Sequence, residues 1–446
     1  MQNIINAVEK YRTMILEAER FIWNHPETGF RETVTSGYME EQFRALGYDL
    51  VMADGITGFY TVIDTGRPGP ELLILGELDS IICPGHKEAD PVTGAVHSCG
   101  HNAQCAALLG IAAALKEPGL IDELNLSGRI RLCAVPAEEL LEIGYRTELK
   151  NKGVIKYFGG KTEFLHRGYF DGVDLAFMVH TSGSYSVNGG SVGCMSKKII
   201  YKGVAAHAGG SPWGGKNALY AATCGINAVN AIRETFSEPD IIRVHPIITH
   251  GGDMVNAIPA TVTLESYVRG SSFDAIVKAN KKVNRALTGA ALSIGTNIEI
   301  IDAPGYGPHR NATGMMKVAE DAAKLAIPDY PMHVSENVGS GSTDMGDLSA
   351  IMPVVHPYSA GGRGTGHGSD YEIADPVAAC VDCAKWQVGM LYLLLRNGGE
   401  RTRAIVEEFK PPFASKDEYL NYIDSLNCSG DRIEYRDDGS AVVKCE

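Results

Sequence analysis

Apolar positions in the first 23 residues recur at helical spacing. Ile4, Ile5, Val8, Tyr11, Ile15, Ala18 and Phe21 fall on one stripe, which predicts an amphipathic helix over 2–23. Pro26 closes it, because proline disfavours helical backbone at the residue before it. Residues 33–46 predict a second helix, stopped at Gly47. Strand and helix patterns then alternate: strands over 58–64 and 71–75, a helix over 103–116, a buried strand over 128–136 and a short apolar strand over 173–179. This alternation predicts an α/β layer on a mostly parallel sheet. Near residue 190 the pattern changes. A glycine-rich 189–193 leads into a strand over 194–204, a helix over 217–236, strands over 241–249 and 261–267, a helix over 273–292 and a strand over 297–301. That order predicts a smaller inserted α+β domain of the split βαβ kind. The expected organisation is a main α/β domain from 1–189 and 305–404, an inserted domain over 190–304, and a C-terminal extension over 405–446. The main domain ends in an apolar helix over 376–396.

Composition narrows the function. A chain of 446 residues favours two domains, since single cores stop growing near ~250–300 residues. Acidic residues outnumber basic ones 54 to 40, a net charge of −14, which argues against a nucleic-acid partner. The longest apolar run, 106–115, is short beside the ~20 residues a membrane span needs. The N-terminus carries charges throughout, unlike a signal peptide. No membrane partner and a cytoplasmic location are therefore expected. Ten scattered cysteines in a chain this long are not a disulfide framework. Cys380 and Cys383 lie in the apolar 376–396 stretch and are expected to pack there.

Candidate chemistry gathers after strands. Asp79 follows the strand over 71–75, and Cys99 and His101 lie two apart across a glycine. Thiolate and imidazole are both good ligands for a borderline metal. Glu138 and Glu139 follow the buried strand over 128–136, where paired carboxylates are costly unless something positive is present. His180 ends the strand over 173–179, and His367 sits in a glycine-rich loop over 361–368. Read singly, a CxH is a chance loop, paired glutamates a solvated turn, and a strand-end histidine a structural one. Read jointly, they converge on one rim, because ligands bind outside the carboxyl ends of strands in open α/β sheets. Five candidate ligands are enough for two metals sharing a bridging group.

The chain resembles peptidase family M20, in its amidohydrolase branch, over roughly residues 5–400. The matching segments are HPETGF (25–30), ELD (77–79), HSCGHN (97–102), PAEE (136–139), KGVAAHAGGSPWGGKNAL (202–219), GGDMVNAIP (251–259), GSTDMGDLS (341–349) and TGHGS (365–369). They look most like the aminobenzoyl-glutamate hydrolase-like members. The resemblance implies that Cys99, His101, Glu139, His180 and His367 hold two divalent ions, zinc or manganese. It implies Glu138 as general base and Asp79 as the carboxylate that orients a ligand. It further implies His207 as an oxyanion stabiliser reaching a partner subunit, hence a homodimer, with Asn256 and Arg269 on the substrate carboxylate. Many members carry Asp where Asn102 stands and His where Gln104 stands. An aspartate also often follows the family's NxIP, where this chain has Ala260, and the segments 82–96 and 145–170 are longer than usual.

The expected activity is release of an amino acid from an N-acyl or N-aroyl conjugate, or cleavage of a small dipeptide. The alternatives are a dipeptidase or aminopeptidase of the same fold, and a carboxylate binder without catalysis. Outside the motifs, His86 and His250 are the histidines whose surroundings matter most, the others having structural or surface readings.

Overall fold

Seven consecutive buried residues, Glu71–Glu77, form the middle of a six-stranded sheet. The structure, a computed structural model, describes residues 2–444, so Cys445 lies outside the described residues. The sheet order is Val51–Met52, Phe59–Asp64, Arg129–Val135, Glu71–Glu77, Leu175–Phe177 and Val354–Val355. Glu71–Glu77 is parallel to both neighbours, and Leu175–Phe177 is parallel to Val354–Val355. The two pairings at the opposite edge are antiparallel. Parallel strands send their C-terminal ends to one side, so Asp79, Glu138, Glu139 and His180 all leave the sheet along one rim.

The chain divides into two compact units, the first formed by Met1–Gly190, His309–Gly339 and Thr343–Lys416. Its core runs through the helix His101–Leu115, all fifteen residues of which are buried. A helix apolar on every side must be wrapped by others; here these include Arg12–Trp23 and Cys383–Leu395, which share its hydrophobic cluster. The single helix expected over 2–23 is two, Gln2–Glu9 and Arg12–Trp23. At the break Lys10 and Tyr11 both turn their side chains onto Glu117. The helix expected over 376–396 opens with a wide π turn, Val377–Asp382, before Cys383–Leu395. Among the described residues this is the one helix long and apolar enough to cross a membrane, and 83% of it is buried inside the protein. Cys380, Cys383 and Trp386 pack in it, and the Trp386 indole donates to the Ala319 carbonyl at 2.8 Å.

The second unit comprises Ser191–Pro308, Ser340–Ser342 and the chain from Asp417 onward. Its sheet is antiparallel, in the order Arg243–Val244, Thr261–Gly270, Gly193–Lys202, Asn297–Tyr306 and Cys428–Asp431. The helices Ala218–Ala231 and Phe273–Ile294 share one core with it. Asn217 and Ser272 start these helices by accepting backbone N–H bonds with their side chains. The strand expected over 241–249 is split in two, Arg243–Val244 and Ile247–His250. Pro246 falls between them and cannot donate to a ladder. The residues expected as a separate extension from 405 are shared out. Glu400–Glu408 belongs to the first unit, and Cys428–Asp431 adds an edge strand to the second.

Candidate metal centre

Cys99 and His101 flank Gly100, whose φ of +89° only glycine adopts cheaply. A Cβ there would lie 2.5 Å from the Tyr371 hydroxyl and 3.0 Å from the Thr181 Cβ. The turn brings both side chains to one place. The Cys99 Sγ is 3.3 Å from His180 Nε2 and 3.3 Å from His367 Nε2. His367 Nε2 is in turn 3.0 Å from Glu139 Oε1. Two triplets result, Cys99–His101–His180 and Cys99–Glu139–His367, each with its potential ligand atoms within 4.8 Å of one another. Cys99 belongs to both. All five residues that the sequence singled out as metal ligands are therefore brought together.

The imidazoles are oriented from behind. His101 Nδ1 is 2.9 Å from the Asp79 carbonyl and His180 Nδ1 is 2.8 Å from the Thr181 carbonyl. A carbonyl only accepts, so each Nδ1 carries a proton, and Nε2 is the ring atom left to face a cation. Asp79, fully buried, also accepts the Glu139 backbone N–H at 2.8 Å on its Oδ2. It thus steers one histidine and one carboxylate together. Ala137 and His367 hold left-handed backbone, φ 57° and 63°, a strain of ~1–2 kcal/mol each for side chains with a Cβ. Such strain clusters where a site dictates the geometry.

Charge at the centre is unevenly shared. Burial raises the Cys99 thiol well above its usual range, with Glu139 adding to the effect. Burial opposes protonation of His101, yet Cys99, Glu77 and Asp79 outweigh it and hold that imidazole well above its ordinary value. Glu139 is pulled the other way. Burial would raise it, but the close His367 imidazole brings it down to about 2. Glu138 is pushed well above the carboxylate range by burial, then by Glu77, Glu139 and Asp344. Burial and the neighbouring His101 lower His180 to about 4. His101 Nε2 and Glu139 Oε1 are both buried, and close to them lie atoms of the cluster itself, Glu77 Oε2 at 3.1 Å and His367 Nε2 at 3.0 Å respectively. One thiolate, three imidazoles and a carboxylate, two of them with such atoms facing inward, make a donor set that fits a pair of divalent cations.

The other expected site residues lie in the second unit. His207 and Asn256 share a ribbon in which Ala206–His207 pairs with Ala257–Ile258. His207 is exposed, and its Nδ1 accepts from the Gly209 and Gly210 N–H groups at 3.1 and 2.9 Å. Its Nε2 therefore bears the proton. Arg269 lies apart, on Thr261–Gly270, and donates to Ser342 Oγ at 3.2 Å. His86 is buried against the Tyr371 carbonyl at 2.8 Å, and His250 is exposed on an edge strand. The two departures after His101 have partners of their own: Asn102 Nδ2 donates to Glu19 and Gln104 Nε2 to Glu77, each at 2.8 Å. Three residues at the centre went unassigned from sequence: Glu77, Lys161 and Asp344, all fully buried and ion-paired through the lysine. Glu77 lies two positions before Asp79, so a buried carboxylate there was a signal that a cation must be near.

The mostly parallel sheet, the rim of candidate ligands and the α+β unit define a class, an α/β metallohydrolase scaffold. The chain belongs to peptidase family M20/M25/M40, whose profile matches residues 73–392. It is 30% identical to the Xaa-Arg dipeptidase of Mus musculus over 73% of this chain and 69% of that protein. It is 26% identical to one of the p-aminobenzoyl-glutamate hydrolase polypeptides of Escherichia coli, over 66% of this chain and 59% of the relative. Its fold matches the crystal structure of a dinuclear metal-binding peptidase of family M20 from Bacillus subtilis, with a TM-score of 0.62 and 20% identity. That match covers 87% of this chain and 99% of the other.

Proposed function

We propose that this chain is a binuclear metal-dependent amidohydrolase that releases an amino acid from an N-acyl or N-aroyl conjugate, or cleaves a small dipeptide. The observation that carries the reading is the sharing of Cys99 between two ligand triplets. Cys99, His101 and His180 would hold one cation, and Cys99, Glu139 and His367 the other. Thiolate favours zinc, while the carboxylate share also suits manganese. When bound, such ions lower the pKa of water toward ~7 and polarise a carbonyl oxygen. Glu138, whose raised pKa suits a group that takes a proton and returns it, is the proposed general base toward water and acid toward the leaving amine. His207, with its Nε2 proton outward, is the proposed oxyanion donor. Asn256 and Arg269 are the proposed readers of the substrate carboxylate, a planar anion suited to a guanidinium.

A homodimer fits the second unit taken by itself. Ile247–His250 is exposed along its length and, among the described residues, pairs on one side only, with Thr261–Gly270. Ile247 and Ile248 on this strand are 50% and 39% exposed. An apolar sheet edge of this kind is a template for a second copy. The cytoplasm fits the nine described cysteines, none of them disulfide-bonded.

The test is a panel of N-benzoyl, N-aminobenzoyl and N-acetyl amino acids beside dipeptides that include Xaa-Arg. Hydrolysis should be lost on chelation and restored by zinc or manganese. Glu138→Gln should keep both ions and lose about 10²–10⁴ in turnover. Unimpaired turnover in that variant rejects the role of Glu138. Two bound ions with no hydrolysis of any substrate would favour the carboxylate-binding reading.

A further inference from the structure

Lys161 has no exposed side-chain surface, although it lies in the lengthened segment between Glu139 and His180. Its Nζ pairs with both Glu77 and Asp344, and its backbone N–H donates to Asp344 Oδ2 at 2.8 Å. The other oxygen of Glu77 faces the candidate metal centre. Glu77 Oε2 is 3.1 Å from His101 Nε2 and accepts from Gln104 Nε2 at 2.8 Å. Glu77, His101 and Glu138 also form a third group with potential ligand atoms within 4.8 Å. The short helix that delivers Lys161, Gly160–His166, is pressed against the carboxylate segment. A Cβ on Gly160 would sit 1.7 Å from the Pro136 carbonyl oxygen, and the Gly160 N–H donates to the Ala137 carbonyl at 3.2 Å.

A fully buried ion pair is weak evidence for stability, since well-packed apolar residues often do as well. This one is placed to do something else. Lys161 holds one oxygen of Glu77, which leaves the second 3.1 Å from His101 Nε2, so that both atoms face the place of the cation that His101 would hold. We propose that Lys161, braced by Asp344, is a positioning residue that fixes Glu77 against His101 and thereby sets the affinity of the cation site formed by Cys99, His101 and His180. This rests on the two-cation reading above and extends it to residues outside the ligand set.

The experiment titrates Zn²⁺ alone into the metal-free full-length chain against a chromophoric chelator, with the thermal melt in chelator as a control on folding. The wild type should bind two equivalents. Lys161→Met and Glu77→Gln should each weaken one equivalent by about ten- to hundredfold and leave the other unchanged. Should Lys161→Met fail to fold, Glu77→Gln decides, because it is isosteric and leaves Lys161 paired with Asp344. Unchanged affinity at both equivalents overturns the proposal. So does equal weakening at both in step with a lower melting temperature, which marks a purely structural pair. A wild type that binds fewer than two ions overturns the two-cation reading itself.

Discussion

Glu138 and Glu139 are neighbours in sequence with opposite electrostatic fates. His367 draws Glu139 down to about 2, while burial and the surrounding carboxylates drive Glu138 up. Adjacent side chains diverge, so one can face ligands while the other faces reactants. The same logic makes Gly100 indispensable. Gly100→Ala would drive a methyl into the Tyr371 hydroxyl at 2.5 Å. Metal analysis of that variant should find the ions lost and the melting temperature lowered; full loading would contradict the assigned turn. His309 gives a pH prediction. Burial holds it at about 4, below the ordinary ~6.5. Between those values the unfolded chain takes up a proton that the folded chain refuses, so stability falls as pH drops through that window. The loss from this group is on the order of 3 kcal/mol. Denaturant midpoints of the metal-free protein at about pH 7.5 and 4.5 should differ in that direction, and His309→Gln should reduce the difference without abolishing it, because the buried His97, His180 and His356 are depressed as well. The residues that the structure gathers into the candidate ligand triplets were legible because each follows a strand end or a glycine turn. Lys161 was not, because its partners lie 84 and 183 residues away and nothing local marks a lysine as buried.

At the scale of elements, periodicity located the helices and strands, and tertiary contacts decided their ends. The expected strand over 71–75 runs on to Glu77, because Gly76 and Glu77 remain paired with Ala134 and Val135. The helix expected over 273–292 runs to Ile294, with the Ser272 side chain capping its start and Gly295 in left-handed backbone ending it. The break after Glu9 left no proline or glycine to announce it. The apolar Cys383–Leu395 illustrates a limit of hydropathy alone, since a core helix and a membrane span share that signature. Its burial has a measurable consequence. Trp386→Ala should cost about 3–5 kcal/mol in denaturant unfolding monitored by circular dichroism. A cost below about 1 kcal/mol would mean that this helix is not packed in the core.

At the scale of the whole molecule, the change of pattern near residue 190 announced a second unit. The chain after 416 did not reveal that it returns to that unit. Cys428–Asp431 is a short, polar, mostly exposed strand and carries no hydrophobic alternation to read. The exposed edge strand Ile247–His250 predicts self-association. Ile247→Lys should convert a dimer to monomers in sedimentation equilibrium, and a wild-type monomer would contradict the edge as an interface. The central claim concerns the five ligands and is tested most directly by anomalous diffraction from crystals loaded with zinc. Two peaks are predicted, each about 2.3 Å from the Cys99 sulfur, one shared with His101 and His180 and the other with Glu139 and His367. A single peak that leaves Cys99 untouched, or ions held by other residues, would contradict the account.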